Sequence, residues 1–481
     1  MMQNQNKSGI FEGVDRWAIL YYLMIVLFGC LCITSASSED STGGLFAFSH
    51  FYTKQIVWMG VAWVFALLVL LLDSSLFHKW AYVAYGAGIL LLLATLVIGT
   101  EINGAKAWIN LGVMNWQPVE VVKIATALAL ARMMSEYNFS ISRPGDLVKV
   151  GLLLLCPLAI IVLQNDTGSG IVLGSFLFVL YREGLNKWLC IPILMVAGLF
   201  IISFLLSPIA LLILMIGVCT LSETMMNRRW RSRVVFLSSL FLSSILLYFC
   251  VQFFWPGSIS YYGALLTVTL ISAVGIAIYA FRSNLQNIFL ILGLFFCSLL
   301  FLDTTNYVFE SVLKPHQRDR INTFLGLMDD PHDLGYNVNQ SKIAIGSGGL
   351  FGKGFLQGTQ IKYGFVPERH TDFIFCTVGE EWGFLGTFTI LTLFACLILR
   401  LMKMGERQEE PFGRIYCYCV ASILLFHVLV NVGMTIGLMP VMGIPLPFMS
   451  YGGSSLIAFT ILLFIAIRLD ASTRHFGLNK I

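Results

Sequence analysis

Apolar stretches of membrane-crossing length recur along the whole 481-residue chain, near 17–36, 54–73, 78–98, 118–134, 147–163, 169–183, 188–206, 208–223, 234–254, 260–281, 285–303, 384–402, 415–436 and 453–469. About 20 apolar residues in a helix span a bilayer core, and an open chain satisfies its backbone there only as helix. The chain therefore reads as an all-α polytopic membrane protein with about 14 crossings. Only 12% of its residues are charged and 57% are hydrophobic, against about 25% charged in a soluble domain. The net charge of +4 gives no argument for a nucleic-acid partner, and none is expected. The eleven cysteines follow no metal-ligand spacing and read as small apolar fillers. The first apolar run follows Lys7 and Arg16 and ends at Ser35-Ala36-Ser37, as a signal peptide would. Its length is enough to span, so it reads as a retained helix.

Loop charge sets the orientation. If every run crosses, Lys79, Arg143, Lys149, Arg182, Arg228, Arg229, Arg282, Arg400, Arg407 and Arg468 all fall on one side. The positive-inside rule makes that side cytoplasmic and places both termini there. The loops at 37–53, 99–116, 164–168, 255–259 and 437–452 are then outside, as is the long segment 304–383. That segment is long enough to escape the charge rule. So long a stretch without structure would be unusual, which points to short helices and re-entrant pieces inside it.

Four outward patches carry the polar residues. The first runs from Gly104-Ala105-Lys106-Ala107-Trp108 into Gln117-Pro118-Val119-Glu120-Val121-Val122-Lys123. Pro118 suits a first helical turn, and Glu120 and Lys123 then share a face. They form either a self-satisfied pair or a cation, steadied by its carboxylate, that meets an anionic head group. The second is Gln164-Asn165-Asp166-Thr167-Gly168-Ser169, where Asp166 and Thr167 can cap the next helix. The third is the outer segment with His316-Gln317-Arg318-Asp319-Arg320, a glycine-rich run and Pro367-Glu368-Arg369-His370-Thr371-Asp372. Gly346, Gly348, Gly349, Gly352 and Gly354 fit no nucleotide-binding pattern; they read as tight turns that let a substrate chain approach. Asp372 is either a general base at the membrane surface or a salt-bridged loop aspartate. The fourth, Pro440 to Ser455, is a proline-stiffened turn feeding the last span, either structural or a seat for an anion.

These patches, in this order, resemble the shape, elongation, division and sporulation family of peptidoglycan polymerases. The resemblance rests on GAKAWINLG–QPVEVVK, QNDTGSG, GYNVNQSKIAIGSGGLFGKG–GTQ–PERHTDFIF–GEEWGFLG and GIPLPFMSYGGSSL, and covers most of 15–185 and 310–475. HQRDRI, GKGFLQGTQ and PERHTDFIF are more similar to the elongation branch than to the division branch. The resemblance implies a bundle of ten core spans plus about four inserted ones. It divides the chain into N-terminal core helices (1–206), inserted helices (207–303), an extracytoplasmic catalytic loop (304–383) and C-terminal core helices (384–481). Ala107 stands where the family usually has Arg, and Asn165 where it has Pro.

The implied activity is a glycosyltransferase that polymerises lipid II on the outer face of the cytoplasmic membrane during cell elongation. Asp372 corresponds to the family's essential aspartate and is the candidate general base. The candidate substrate-binding residues are Lys123, Glu120, Gln117, Lys106, Asp166, Gln340, Ser341, Arg318, Arg320, Arg369, His370 and Ser450. The leaving group is a polyprenyl pyrophosphate, so cations, Lys123 foremost, or a divalent ion such as Mg or Mn would stabilise it; no other cofactor is called for. The implied partners are a class B penicillin-binding protein, which is a transpeptidase, and the elongation machinery. A lipid II flippase, a division-type polymerase, a scaffold for the transpeptidase and a secondary transporter stand as alternatives.

Overall fold

The computed structural model describes residues 13–37, 51–102, 104–110, 112, 115–186, 206–227, 230–255, 257, 260–282, 286–307, 318 and 334–478. It divides into two compact units, one of Met1–Lys187 with Asp319–Ile481 and the other Trp188–Arg318.

The first unit opens with α1 (Arg16–Ala36), α2 (Phe51–Leu71) and α3 (Ser74–Ile98). Asp15 and Asp73 cap α1 and α3 through the amides of Ala18 and Ser75. A small antiparallel sheet follows: β1 (Thr100–Ile102), β2 (Ala105–Asn110) and β3 (Asn115–Trp116), with Thr100 opposite Trp108 and Ile109 opposite Trp116. Next come α4 (Pro118–Met134), with Pro118 in its first turn, α5 (Pro144–Leu163), α6 (Thr167–Leu173) and α7 (Phe176–Arg182). The apolar run expected as one span over 169–183 forms one short apolar stretch, Thr167–Arg182, in which α6 and α7, of 7 residues each, join through Gly174-Ser175 with helical backbone dihedrals. The second unit contains α8 (Pro208–Asn227), α9 (Trp230–Phe254), α10 (Tyr261–Arg282) and α11 (Gln286–Tyr307), joined by a core of Leu212, Met215, Ile216, Leu240, Leu265 and Phe295. The run 188–206 lies outside the described residues except at its last position.

The chain returns to the first unit with α12 (Leu334–Ser347), α13 (Thr359–Lys362), α14 (Ile374–Glu406), α15 (Pro411–Thr435) and α16 (Gly453–Leu478). Among the described residues, nine helices are long and apolar enough to cross a membrane. They differ in burial: 78% of the apolar window of α15 and 72% of that of α16 lie inside the protein, against 28% for α2. In a bilayer an exposed apolar face is lipid-facing, so α15 and α16 form the centre of the first unit. α15 packs on α4 and α14, and α16 packs on α2.

One contact shapes the segment between α12 and α14. At Gly383, φ is +61° and ψ is −157°, and α14 breaks there. The loop after α12 enters the break and completes its hydrogen bonds. Lys353 and Gly354 donate to the carbonyls of Glu380 and Glu381 (3.0 Å each), and the amides of Phe384 and Leu385 donate to Gly349 and Leu350 (2.8 and 3.1 Å). A Cβ on Gly348 would lie 1.9 Å from the Gly379 oxygen, and one on Gly352 2.1 Å from that of Glu381. The close approach expected of a substrate chain at Gly348 and Gly352 is therefore made by this helix, because its open backbone groups must be paired inside an apolar layer.

Candidate active site

Asp372 lies on the short link between α13 and α14, and three consecutive carbonyls of that link are gripped from outside it. The Tyr451 amide donates to His370 (2.8 Å), the Ser450 hydroxyl to Thr371 (2.7 Å), and the Asn431 side-chain amide to Asp372 (2.8 Å). Asn431 also donates to the Ile444 carbonyl at 2.8 Å, and the Leu446 amide donates to Ser450 Oγ at 2.8 Å. The turn 443–451 and the Asp372 segment are thereby one hydrogen-bonded body. Glu368 and Phe448, on either side of this body, have φ of +50° and +66°. Such backbone costs about 1–3 kcal/mol per residue and persists only where the surroundings enforce it. The Asp372 carboxylate leans over Gly443: a Cβ there would sit 3.6 Å from Oδ2. Gly443 itself has φ +66°, a conformation suited to glycine. The His370 ring stacks on Phe51 with centroids 4.3 Å apart, and the edge of Tyr451 closes the same corner.

The first and second patches meet each other and then the fourth. Lys106 N donates to Gln164 O (2.9 Å), and Gln117 Nε2 donates to Asp166 Oδ2 (2.9 Å). Asp166 Oδ1 meanwhile accepts from Ser169 N (3.1 Å) and caps α6. A Cβ on Gly168 would lie 2.2 Å from the Met442 oxygen, so this pair packs directly under the proline-rich turn. Asn165 has φ +60°, which proline, locked near −65°, cannot adopt. The exchange of the family's proline for Asn165 thus comes with a different local backbone, one that asparagine tolerates.

Beneath the turn, Lys123 Nζ donates to Glu120 Oε1 (2.8 Å), stands 3.1 Å from His427 Nε2 and lies 5.0 Å from the Phe459 centroid. Lys123 is 2% exposed and Glu120 3%. Its charge would therefore reach a bound anion through the protein and not by contact. Lys106 and Ala107 are neighbours on β2, so their side chains point to opposite faces. Ala107 is buried, whereas Lys106 is half-buried, with Nζ 3.2 Å from the Val97 carbonyl at the end of α3. It does not occupy the place of the family's arginine. Arg369 Nε donates to the Ala36 carbonyl (2.7 Å) at the end of α1, and Ser341 Oγ to the Thr435 carbonyl (2.9 Å) at the end of α15. Both complete helix C-termini. Gln340 is half-buried on α12. Arg318 belongs to the other unit, and Arg320 lies outside the described residues.

Four further residues escape sequence reasoning. Asn431 and His427 lie one turn apart on α15, and Glu380 and Glu381 lie just before the break in α14. Glu380 is fully buried; it takes Lys353 Nζ at 2.6 Å and the amides of Gln360 and Ile361 at 2.9 and 3.0 Å, which cap α13. Glu381 accepts from Ser35 Oγ and from the Leu356 amide. The available signal was polarity inside apolar runs. Among the described residues, no group of three or more His, Cys, Asp or Glu could hold a metal ion.

A family model described as "Cell cycle protein", that of FtsW, RodA and SpoVE, matches residues 16–235 and 209–475. The chain is 33% identical to the peptidoglycan glycosyltransferase RodA of Treponema pallidum over 445 residues, which are 92% of this chain and 94% of that protein. It is 29% identical to the peptidoglycan glycosyltransferase MrdB of Escherichia coli K12 (95% and 94% covered). It is 26% identical to a probable peptidoglycan glycosyltransferase FtsW of Thiomicrospira cyclica (96% and 93%). Among solved structures, a chain from a study of how a peptidoglycan synthase complex coordinates polymerization and crosslinking matches with a TM-score of 0.60 at 26% identity, covering 96% of this chain and 98% of that one. The rod-shape-determining protein RodA of Thermus thermophilus shares the fold with a TM-score of 0.54 at 24% identity (96% and 97%).

Proposed function

The chain belongs to the FtsW, RodA and SpoVE family, and from that premise we propose that it polymerises lipid II with Asp372 as general base. It is a multi-pass membrane protein and a peptidoglycan glycosyltransferase. The observation that carries the finer reading is the triple grip on the carbonyls of His370, Thr371 and Asp372. Catalysis by proton transfer needs a carboxylate fixed to a fraction of an ångström, and a backbone held at three successive carbonyls supplies that.

In the proposed reaction the 4-hydroxyl of one lipid-linked disaccharide attacks C1 of the growing chain. Asp372 takes the hydroxyl proton, the new glycosidic bond forms, and the polyprenyl pyrophosphate leaves with the bonding electron pair. A single displacement inverts the anomeric carbon, from an α-linked donor to a β-linked polymer. General-base help of this kind gives roughly 10²–10⁴-fold. With no group of three or more His, Cys, Asp or Glu that could hold a metal ion among the described residues, a divalent ion would arrive on the substrate's phosphates and not on a resident protein site. Polymerisation during elongation is the reading favoured by identity, 33% to a RodA against 26% to an FtsW. Loop charge supports a reading with the active site outside and both termini inside. A transpeptidase of the class B penicillin-binding type is the proposed partner; the matched synthase complex, which couples polymerization to crosslinking, supports it.

The buried Glu120–Lys123 pair favours one second reading, a flippase for the same lipid. Incubating the purified chain with lipid II in detergent separates the two, since no bilayer remains to cross. Long glycan strands on a gel are the expected product. Intact, unpolymerised lipid II, with and without the transpeptidase, would leave only the flippase.

A further inference from the structure

His427 is 1% exposed and lies between two groups with opposite needs. The Lys123 ammonium, 3.1 Å from Nε2, offers only hydrogens; the Pro445 carbonyl, 3.1 Å from Nδ1, offers only lone pairs. One assignment satisfies both: a neutral imidazole with its proton on Nδ1 and a bare Nε2. The alternative, an imidazolium facing a neutral amine, would leave the Glu120 carboxylate without a cation at its 2.8 Å contact. The ring is packed edge-on against Phe459, 4.8 Å away.

The Pro445 end of this bridge matters because the turn's own backbone braces it at one point only, where the Met449 and Ser450 amides donate to the Leu446 carbonyl (3.3 and 3.0 Å). Pro440, Pro445 and Pro447 have no amide hydrogen to give. Its proline-rich half, Ile444 to Leu446, is held by side chains, Ser450 from the turn's own far end and His427 and Asn431 from α15. Those last two are four residues apart and so share a helix face.

We propose that His427 is a positioning residue for polymerisation: as the Nδ1–H tautomer it ties the buried Lys123–Glu120 pair to the Pro445 carbonyl and fixes the turn against which Asp372 is seated. This rests on the reading of Asp372 as the base. Lys123 then serves the reaction by holding a turn, which accounts for a lysine so thoroughly withdrawn from solvent.

The experiment uses the purified full chain. Nitrogen NMR of labelled histidine, with His427 assigned by its disappearance in His427→Phe, is expected to show a protonated Nδ1 and a bare Nε2. An imidazolium or the opposite tautomer overturns the proposal. In polymerisation kinetics His427→Phe keeps the ring volume and loses both hydrogen bonds. Its kcat should fall about 10-fold or more while KM stays within about twofold. His427→Gln, which keeps an acceptor for Lys123 and a donor, should recover several-fold of that loss. A Phe variant with normal kcat, or a Gln variant no better than Phe, overturns the role. Asp372→Asn is assayed alongside: full activity there removes the base reading and this role with it. A dead Asp372→Asn beside an unimpaired His427→Phe removes the positioning role alone.

Discussion

At the scale of single residues, the Asp372 segment depends on side chains that hold its backbone. Asn431 holds the carbonyls of Asp372 and Ile444 with one amide. Replacing it by Ala removes two hydrogen bonds and leaves buried carbonyls unpaired, at about 1–3 kcal/mol each. We expect Asn431→Ala to fold with a lowered melting temperature and to lose about 10-fold or more in polymerisation rate, checked by kinetics on monodisperse protein. Gly443→Ala places a methyl against the Asp372 carboxylate on a backbone at φ +66°. It should lower the rate more than it lowers the melting temperature. The pairing of Glu120 with Lys123 was legible, because Pro118 fixes where the helix starts and 3.6-residue periodicity does the rest. His427 and Asn431 were not, because their partners lie 304 and 59 residues away and only the fold brings them near.

Among elements, the break in α14 is the feature that pattern reading could not supply. Residues 384–402 read as a span, yet the helix begins at Ile374 and is opened at Gly383 by a loop inserted from about 30 residues upstream. Backbone-to-backbone bonds leave no trace in hydrophobic periodicity, so the glycines alone hinted at the contact, and their close neighbour proved to be a helix. The same limit hid the sheet at 100–116, whose strands are too short to alternate visibly. Gly352→Ala puts a Cβ 2.1 Å from the Glu381 oxygen, at φ +80°. It should expel the loop from the break, which limited proteolysis of the purified protein would detect as new cleavage near 350–358. Unchanged protection would contradict the stitched arrangement. Glu380→Ala unpairs Lys353 and the α13 amides, with an expected cost of about 3 kcal/mol.

On the scale of the molecule, charge fastens the end of the first unit remote from Asp372. Asp15 receives Arg400 (2.8 Å) and Arg407 (2.7 Å), and Arg407 also binds Asp470, so the ends of α1, α14 and α16 share one cluster. Burial opposes the charge on Asp15, but the two guanidiniums and the Ala18 amide outweigh it and hold the carboxyl well below the usual carboxylate range. A depressed folded value means stability that is present in full above about pH 3.9 and lost as pH falls toward that value. Asp15→Asn should therefore melt lower than wild type at neutral pH, with the gap closing below about pH 4. Hydropathy made the helical membrane fold legible, with nine spanning helices among the described residues; the converging geometry of the four patches needed the structure. Polymerisation as proposed depends on one carboxylate, that of Asp372. The most direct measurement is the rate of glycan formation from lipid II by wild type and by Asp372→Asn, purified and shown to melt alike. Loss of the base should lower the rate about 100-fold or more. Polymer made by Asp372→Asn at the wild-type rate would contradict Asp372 as the base.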